Sequence, residues 1–321
     1  MDKRFADIPA EKFGFAQAET ELKDFDPEAS AVGFYKDALI RLRRNRASII
    51  AFYLICIITI MAIVGPSLNP YTFRQQNPNR LNMPPRVPGL ERLGILDGTS
   101  VLSNRRLDGL SDTDRYPEGS IIRVFNERTV AGVKMVDVKV DMYKLVGAED
   151  EYYWFGTDHF GRDLWTRLWR GTRVSLLIAV AAVLINTFIG IVYGAIAGYY
   201  GDPLDMYMMR FCEFLNAFPR VVVVTMFILF FGAGITSIIL ALVVNGWVST
   251  ARMIRSQFYR FKEREYVLAA RTLGVKDMAL IFRHILPNSI GPIITRAMIA
   301  IPGAIFSESF LAFIGLGLKP P

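Results

Sequence analysis

Five stretches of the chain stay apolar over nearly the length a helix needs to cross a bilayer, and no other feature restricts the fold as much. Residues 47–64, 174–197, 208–231 and 235–254 are four of them, and another begins near Ile290. About 20 apolar residues cover the roughly 30 Å of hydrocarbon in a membrane. In that medium each backbone N–H and C=O must be paired within its own segment, so every stretch is expected to be an α-helix. At 52% hydrophobic residues and a mean hydropathy of +0.30, the chain is too apolar and too unevenly patterned for one soluble domain. The lipid bilayer is the first expected partner.

A formal charge of +7 would suit nucleic acid, but the basic residues sit beside the apolar blocks instead of forming one basic domain. Membrane orientation accounts for them, and no nucleic-acid partner is expected. Arg41, Arg43, Arg44 and Arg46 precede the first span and place the N-terminus in the cytoplasm. The polar residues before them lack the apolar core of a cleavable signal, so the first span is read as retained. Alternation then puts the loop near Asp202 and the polar segment 255–289 in the cytoplasm; the latter carries Arg255, Arg260, Lys262, Arg264, Arg271, Lys276 and Arg283. Cys56 and Cys212 both lie in apolar blocks and are expected to be buried thiols, not a disulfide.

The expected organisation is a cytoplasmic segment 1–46, a first transmembrane helix 47–65, an extracytoplasmic insertion 66–153, an interfacial amphipathic helix 154–173, and a transmembrane core 174–321. In the insertion, Val136, Val138 and Val140 alternate with Asp137, Lys139 and Asp141, and a second alternating stretch covers 121–125. The two are expected to pair as a β hairpin through a turn at 126–132. Leu164, Trp165, Leu168 and Trp169 share one helical face beside basic residues, which predicts a helix lying flat with its Trp rings among the headgroups. The competing reading packs that helix on the insertion.

Gly190, Gly194 and Gly198 recur every four residues, letting a neighbouring helix backbone approach closely. Pro219 and Pro302 fall within apolar runs, either as pathway-side kinks or as simple bends of packed helices. Arg210 and Glu213 are three apart and expected to pair. Glu308 lies late in the last span, where an acid avoids lipid, and is a candidate for lining the pathway or gate.

Chemistry of the chain's own is not expected. His159, His284 and two separated cysteines give no metal-site spacing, and no phosphate-cradling Gly-x-x-x-x-Gly-Lys-Ser/Thr loop or Gly-x-Ser-x-Gly nucleophile turn is present. No metal or bound cofactor is expected, and no catalytic site.

The segment from Glu263 to Asn288 reads as a helix, a glycine-marked turn and a second helix stopped by Pro287. Met278, Ile281, Phe282 and Ile285 recur at helical spacing, so this second helix has an apolar face outside the membrane, to be buried in a partner or in the chain itself. In register, Ala269, Ala270, Gly274, Leu286 and Pro287 resemble the Glu-Ala-Ala loop of ABC importer permeases. Leu268 stands where that family has Glu, with Glu265 one helical turn earlier, and His284 stands where it often has Ile. The run Arg283-His284-Ile285-Leu286-Pro287-Asn288 is similar to the peptide-importer branch. Phe155-Gly156-Thr157-Asp158 with Gly161-Arg162-Asp163, and the stretch Glu308 to Gly317, resemble the C-type subunit of dipeptide and oligopeptide permeases.

The resemblance runs from about residue 36 to the end, with an insertion at about 75–150 longer than the family pattern. It implies an all-α polytopic membrane protein of the type I ABC importer permease fold, in a bacterial cytoplasmic membrane, with a sixth span beyond Pro321. It further implies half of a translocation pathway for peptides, shared with a second homologous permease subunit, two cytoplasmic ATPase subunits that use ATP and Mg, and an extracytoplasmic peptide-binding protein. Coupling to the ATPases would fall to Glu265, Ala269, Ala270, Gly274, Val275, Lys276, Met278, Ile281, Phe282, His284, Leu286 and Pro287. Two other readings compete: an ion-coupled secondary carrier, which calls for buried coupling carboxylates and repeated halves, and a membrane-anchored interaction protein working through its insertion. The first lacks clear support, and the second leaves the helix-turn-helix at 263–288 unexplained.

Overall fold

The structure, a computed structural model, describes residues 34–318; the polar segment before Phe34 and the residues after Leu318 lie outside the described residues. Two compact units meet in sequence at Ile58 and Thr59. In the first, α1 (Phe34–Arg44) ends on Arg41, Arg43 and Arg44, where cations oppose the negative end of the helix dipole. The side chain of Asn45 then accepts a hydrogen bond from the Ala47 N–H at 3.0 Å. This caps the first turn of α2 (Arg46–Val64), which is apolar on all sides.

In the second unit the insertion carries a three-stranded antiparallel sheet in the order β1-β3-β2, from β1 (Thr99–Arg106), β2 (Ile121–Val130) and β3 (Val133–Asp141). Val136, Val138 and Val140 fill its core against Tyr116, Leu102 and Leu110, while Asp137 faces the other way. The hairpin of β2 and β3 exists, but its turn is only Ala131-Gly132, both at positive φ, as a two-residue turn matched to strand twist requires. The expected seven-residue turn was too long: Asn126 at φ +54 forms a bulge inside β2, not a strand end. Strand β1 was not foreseen, because its own bulge between Leu102 and Arg105 breaks the alternation. A single turn, α3 (Met142–Leu145), follows under an Asp141 cap.

The helical part begins with α4 (Leu164–Tyr200), one continuous helix of 37 residues. No separate flat helix precedes it. The expected surface helix is its first turns, and the Trp rings pack inward: the Trp165 indole N–H donates to the Gly65 carbonyl at 2.8 Å. Trp165 also meets Trp154, Phe155 and Trp169 edge-on. Arg173, on the same helix, donates to the carbonyls of Ala62 and Ile63 at the end of α2.

The expected span 208–231 is two helices, α5 (Leu204–Asn216) and α6 (Arg220–Phe231), bent by 77° where Pro219 precedes α6. Proline removes an N–H and disfavours helix in the residue before it. A further apolar run, α7 (Ile235–Gly246) and α8 (Val248–Phe261), continues past the expected end as one rod of 27 residues. After α9 (Glu265–Thr272), α10 (Asp277–Ala279), a π-wound stretch Leu280–Ile285 and α11 (Leu286–Asn288), the described chain ends in α12 (Ile290–Phe313). Pro302 does not interrupt α12, which stays helical on both sides of it. Four of these rods are long and apolar enough to cross a membrane, or five if the bent α5–α6 pair is one span.

Gly190, Gly194 and Gly198 line the face of α4 that meets α8. A Cβ on Gly194 would stand 2.3 Å from the Ala251 carbonyl oxygen, and one on Gly198 would stand 2.6 Å from the Phe258 Cβ. Without side chains there, the two backbones come within van der Waals reach.

Candidate functional site

Two regions combine chemistry with access, and the first is the polar segment after α8. Glu265 opens α9, where an acid favours the positive end of the helix dipole. The helix closes at Leu273 with Gly274 left-handed at φ +80. The Gly274 N–H donates to the Arg271 carbonyl at 3.0 Å and the Val275 N–H to the Ala270 carbonyl at 3.2 Å. These are the two bonds of a Schellman closure, which needs the left-handed residue at that point. A Cβ at Gly274 would meet nothing within 4 Å, so conformation, not close approach, calls for glycine.

The closure turns the chain back on itself and divides its apolar residues. Ala270, Leu280, Ile281 and Ile285 are buried with Val267, Ile254, Phe258 and Ala195, and Val275 and Leu286 pack against that cluster. The expected apolar face of 278–285 is therefore split: Ile281 and Ile285 serve the chain's own core, whereas Met278 is 57% exposed and Phe282 also faces out. The wider i→i+5 winding of the π-wound stretch 280–285 accompanies this rotation. Leu273, at the tip, is 84% exposed. Lys276, Ala269 and Pro287 are exposed as well, and His284 is half-buried with its carbonyl accepting from Asn288 at 2.7 Å. Among the described residues no three His, Cys, Asp or Glu side chains cluster as metal ligands would.

Polar contacts absent from the sequence reading hold this segment to the spans. The Tyr199 hydroxyl, at the end of α4, donates to the Asp277 carboxylate at 2.6 Å and accepts from Arg271 at 3.3 Å. Beside it, the Asp205 carboxylate at the start of α5 accepts from Arg255 of α8 and from the Tyr259 hydroxyl.

The second region lies among the spans. Arg210 and Glu213 pair at 2.8 Å on an exposed face of α5. Glu308 is 8% exposed and accepts a 2.8 Å hydrogen bond from Ser175, joining α12 to α4. It also borders a cavity of about 590 Å³ with Arg74, Arg167 and Arg170. A separate cavity of about 210 Å³ is bounded by Arg220 and Arg296, together with Asn186, Ser249, Thr250 and Ser307. Arg220 donates to the Ser307 hydroxyl at 3.1 Å. The sequence reading passed over both arginines, although each stands in an apolar run where an arginine costs about 2.5 to 3.5 kcal/mol on insertion scales. That cost was the signal that could have found them.

The motif ahead of α4 is a folded knot. Thr157 bridges Asp163, and the Thr157 N–H donates to the Met83 carbonyl at 3.1 Å. Asp158 accepts from the Arg162 guanidinium at 2.8 Å, and Asp163 caps α4 by accepting from the Thr166 N–H at 2.8 Å. Burial works to raise the pKa of Asp158, but the N–H groups of Arg162 and Phe160 and the Arg162 charge outweigh it and leave the carboxyl below its ordinary value.

Comparison with known proteins adds to this geometry. Residues 190–321 match the family described as binding-protein-dependent transport system inner membrane component, and residues 33–85 match the N-terminal TM domain of oligopeptide transport permease C. The chain is 32% identical over 314 residues to the dipeptide transport system permease protein DppC of Bacillus subtilis, covering 98% of this chain and 78% of that protein. It is 35% identical over 297 residues to DppC of Lactococcus lactis, covering 91% and 77%. It is 30% identical over 291 residues to the oligopeptide transport system permease protein OppC of Bacillus subtilis, covering 91% and 74%.

Proposed function

This chain belongs to the dipeptide and oligopeptide branch of the binding-protein-dependent inner-membrane permeases, and from that premise we propose that it forms half of a peptide pathway driven by separate ATPase subunits. The observation that carries the proposal is the divided surface of residues 265–288. Its inner side belongs to the chain's own core, while Leu273, Met278 and Phe282 stand exposed on a polar, basic segment outside the spans. Apolar side chains so placed gain from burial in a partner, at about 25 cal/mol per Å² of apolar surface removed from water.

On this reading an ATPase subunit closes over α9 and the turn at Gly274, Glu265 and Lys276 supply charged contacts at its rim, and the segment moves as one piece. Tyr199 and the cluster around Ile281 pass that motion to α4, α8 and α12. A second, related permease supplies the other half of the pathway, and a binding protein delivers peptide on the far side. The N-terminus and the segment 265–288 face the bacterial cytoplasm. No bond is made or broken by residues of this chain, and ATP and Mg are used by the partners.

Purification of the intact complex from its native membrane tests the proposal. The expected result is co-purification of two ATPase chains and a second permease, with hydrolysis stimulated by peptide-loaded binding protein. Labelling of a Leu273→Cys variant by an impermeant thiol reagent in inside-out vesicles, but not in intact cells, is expected as well. Solute accumulation by the isolated chain, or labelling from outside, would overturn the reading.

A further inference from the structure

The cavity between α4, α6, α8 and α12 is cationic. Arg220 and Arg296 border it, the remaining polar groups are Asn186, Ser249, Thr250 and Ser307 with nearby Thr187, and no Asp or Glu belongs to its lining. Among the described residues, Arg220 has a neutral partner, Ser307, and neither arginine forms an ion pair. Both arginines are exposed in this chain, so each guanidinium is open to an anion or to water from the cavity side.

One further observation points the same way. Arg220 is the first residue of α6, directly after the 77° break, and no side chain caps that helix. Its free N–H groups and positive dipole end therefore open where Arg220 borders the cavity; broken spans present such ends to anionic substrate groups. Along α12 the cavity runs from Arg296 to Ser307, eleven residues or about 16 Å of helix axis, which is the scale of a short peptide and not of a single ion.

We propose that Arg296 and Arg220, at the two ends of this cavity, form a subsite in the translocation pathway whose guanidinium groups take the terminal carboxylate of the passing peptide one after the other. This rests on the permease reading above. The guanidinium fork matches a carboxylate with two parallel hydrogen bonds, and the hydroxyls of Ser249, Thr250 and Ser307 receive the adjacent peptide groups. A peptide carries its carboxylate whatever its side chains, so the subsite serves cargo of mixed sequence.

The experiment uses the whole complex in proteoliposomes, with one tripeptide supplied as the free acid and as the C-terminal amide, each at a concentration that saturates the binding protein. Uptake and ATP hydrolysis are measured together. The wild-type complex is expected to carry the free acid faster than the amide. Arg296→Gln and Arg220→Gln are expected to slow the free acid by about tenfold, the worth of one charge-assisted contact, and the amide by less than about twofold. Arg296→Lys retains the preference, which separates charge from folding.

Equal rates for the two peptides in the wild-type complex, or equal losses for both in Arg296→Gln, would overturn the subsite. A loss that follows the phosphatidylglycerol content of the vesicles, and not the peptide terminus, would assign the anion to a lipid headgroup and overturn it too. Failure of the wild-type complex to carry either peptide while its ATPases remain active would instead sink the permease reading itself.

Discussion

The Tyr199 hydroxyl donates a 2.6 Å hydrogen bond to the Asp277 carboxylate, tying the last turn of α4 to the short helix after Gly274. Tyr199 is only 7% exposed whereas Asp277 is exposed, so the bond is sheltered from water on the Tyr199 side alone. A hydrogen bond to a charged group contributes about 1.5 to 3 kcal/mol. Tyr199→Phe removes it while keeping the ring against the cluster of Ile254 and Phe258. The expected outcome is an intact complex that hydrolyses ATP but imports several-fold less peptide per ATP, read from paired hydrolysis and uptake. Unchanged stoichiometry would show that the tie is structural alone.

Gly274 gives a second prediction with an internal control. Its φ of +80 costs a residue with a Cβ about 1 to 2 kcal/mol, and a β-branched one more. Gly274→Val is expected to open the closure and separate ATP hydrolysis from uptake, whereas Gly274→Asn, which tolerates the left-handed region, is expected to retain most coupling. Since the space around a Cβ there is empty, a Val variant as active as wild type would exclude any need for this turn geometry.

Gly194 tests the contact of α4 and α8. A methyl there would meet the Ala251 carbonyl oxygen at 2.3 Å, a backbone atom that cannot swing aside. Gly194→Ala is expected to force the helices apart at a cost of about 1 to 3 kcal/mol, seen as a lower thermal midpoint in detergent. A matched substitution at Gly171, with nothing within 4 Å of its Cβ, should leave the midpoint within error.

Outside the spans, Gly161 has φ +69 and its Cβ would stand 2.0 Å from the Asn77 carbonyl oxygen. Strain and collision act together, so Gly161→Ala is expected to loosen the knot ahead of α4 and raise proteolysis of the insertion. Protection equal to wild type would count against the knot as an anchor.

Asp158 makes the same knot sensitive to acid. Its carboxyl lies below the ordinary value in the folded chain, so its stabilising contribution is complete above the unfolded pKa of about 3.9 and is lost as pH falls through the folded pKa. The thermal midpoint of wild type is expected to exceed that of Asp158→Asn at pH 7, with the gap closing below about pH 4. A gap that stayed constant down to acid would rule out the ion pair with Arg162 as its source.

Spans and strands were legible to different degrees. The apolar runs around 174–197 and 235–254 announced helices because the bilayer admits only chains that satisfy their own backbone, and composition alone reports that. The stripe of Gly190, Gly194 and Gly198 was visible because the helical repeat converts spacing into a face. The face of 278–285 was misjudged because local periodicity marks which residues are apolar but not which neighbour claims them. Pro219 and Pro302 looked alike, yet one follows a 77° bend and the other sits in an unbroken helix. The freed backbone groups are absorbed or exposed according to the packing around each.

By itself the amino-acid order determined that the chain crosses a membrane several times, carries an alternating β element between the first two crossings, and has a helix-turn-helix closed by Gly274. These follow from interactions between residues near in sequence, or from the solvent each stretch requires. Only the tertiary structure decided that Tyr199 meets Asp277, that Arg220 and Arg296 border one cavity, and that Leu273 is left exposed while Ile281 is buried. Such pairings depend on how whole helices cross, and a crossing is set by the summed fit of many side chains rather than by any local pattern.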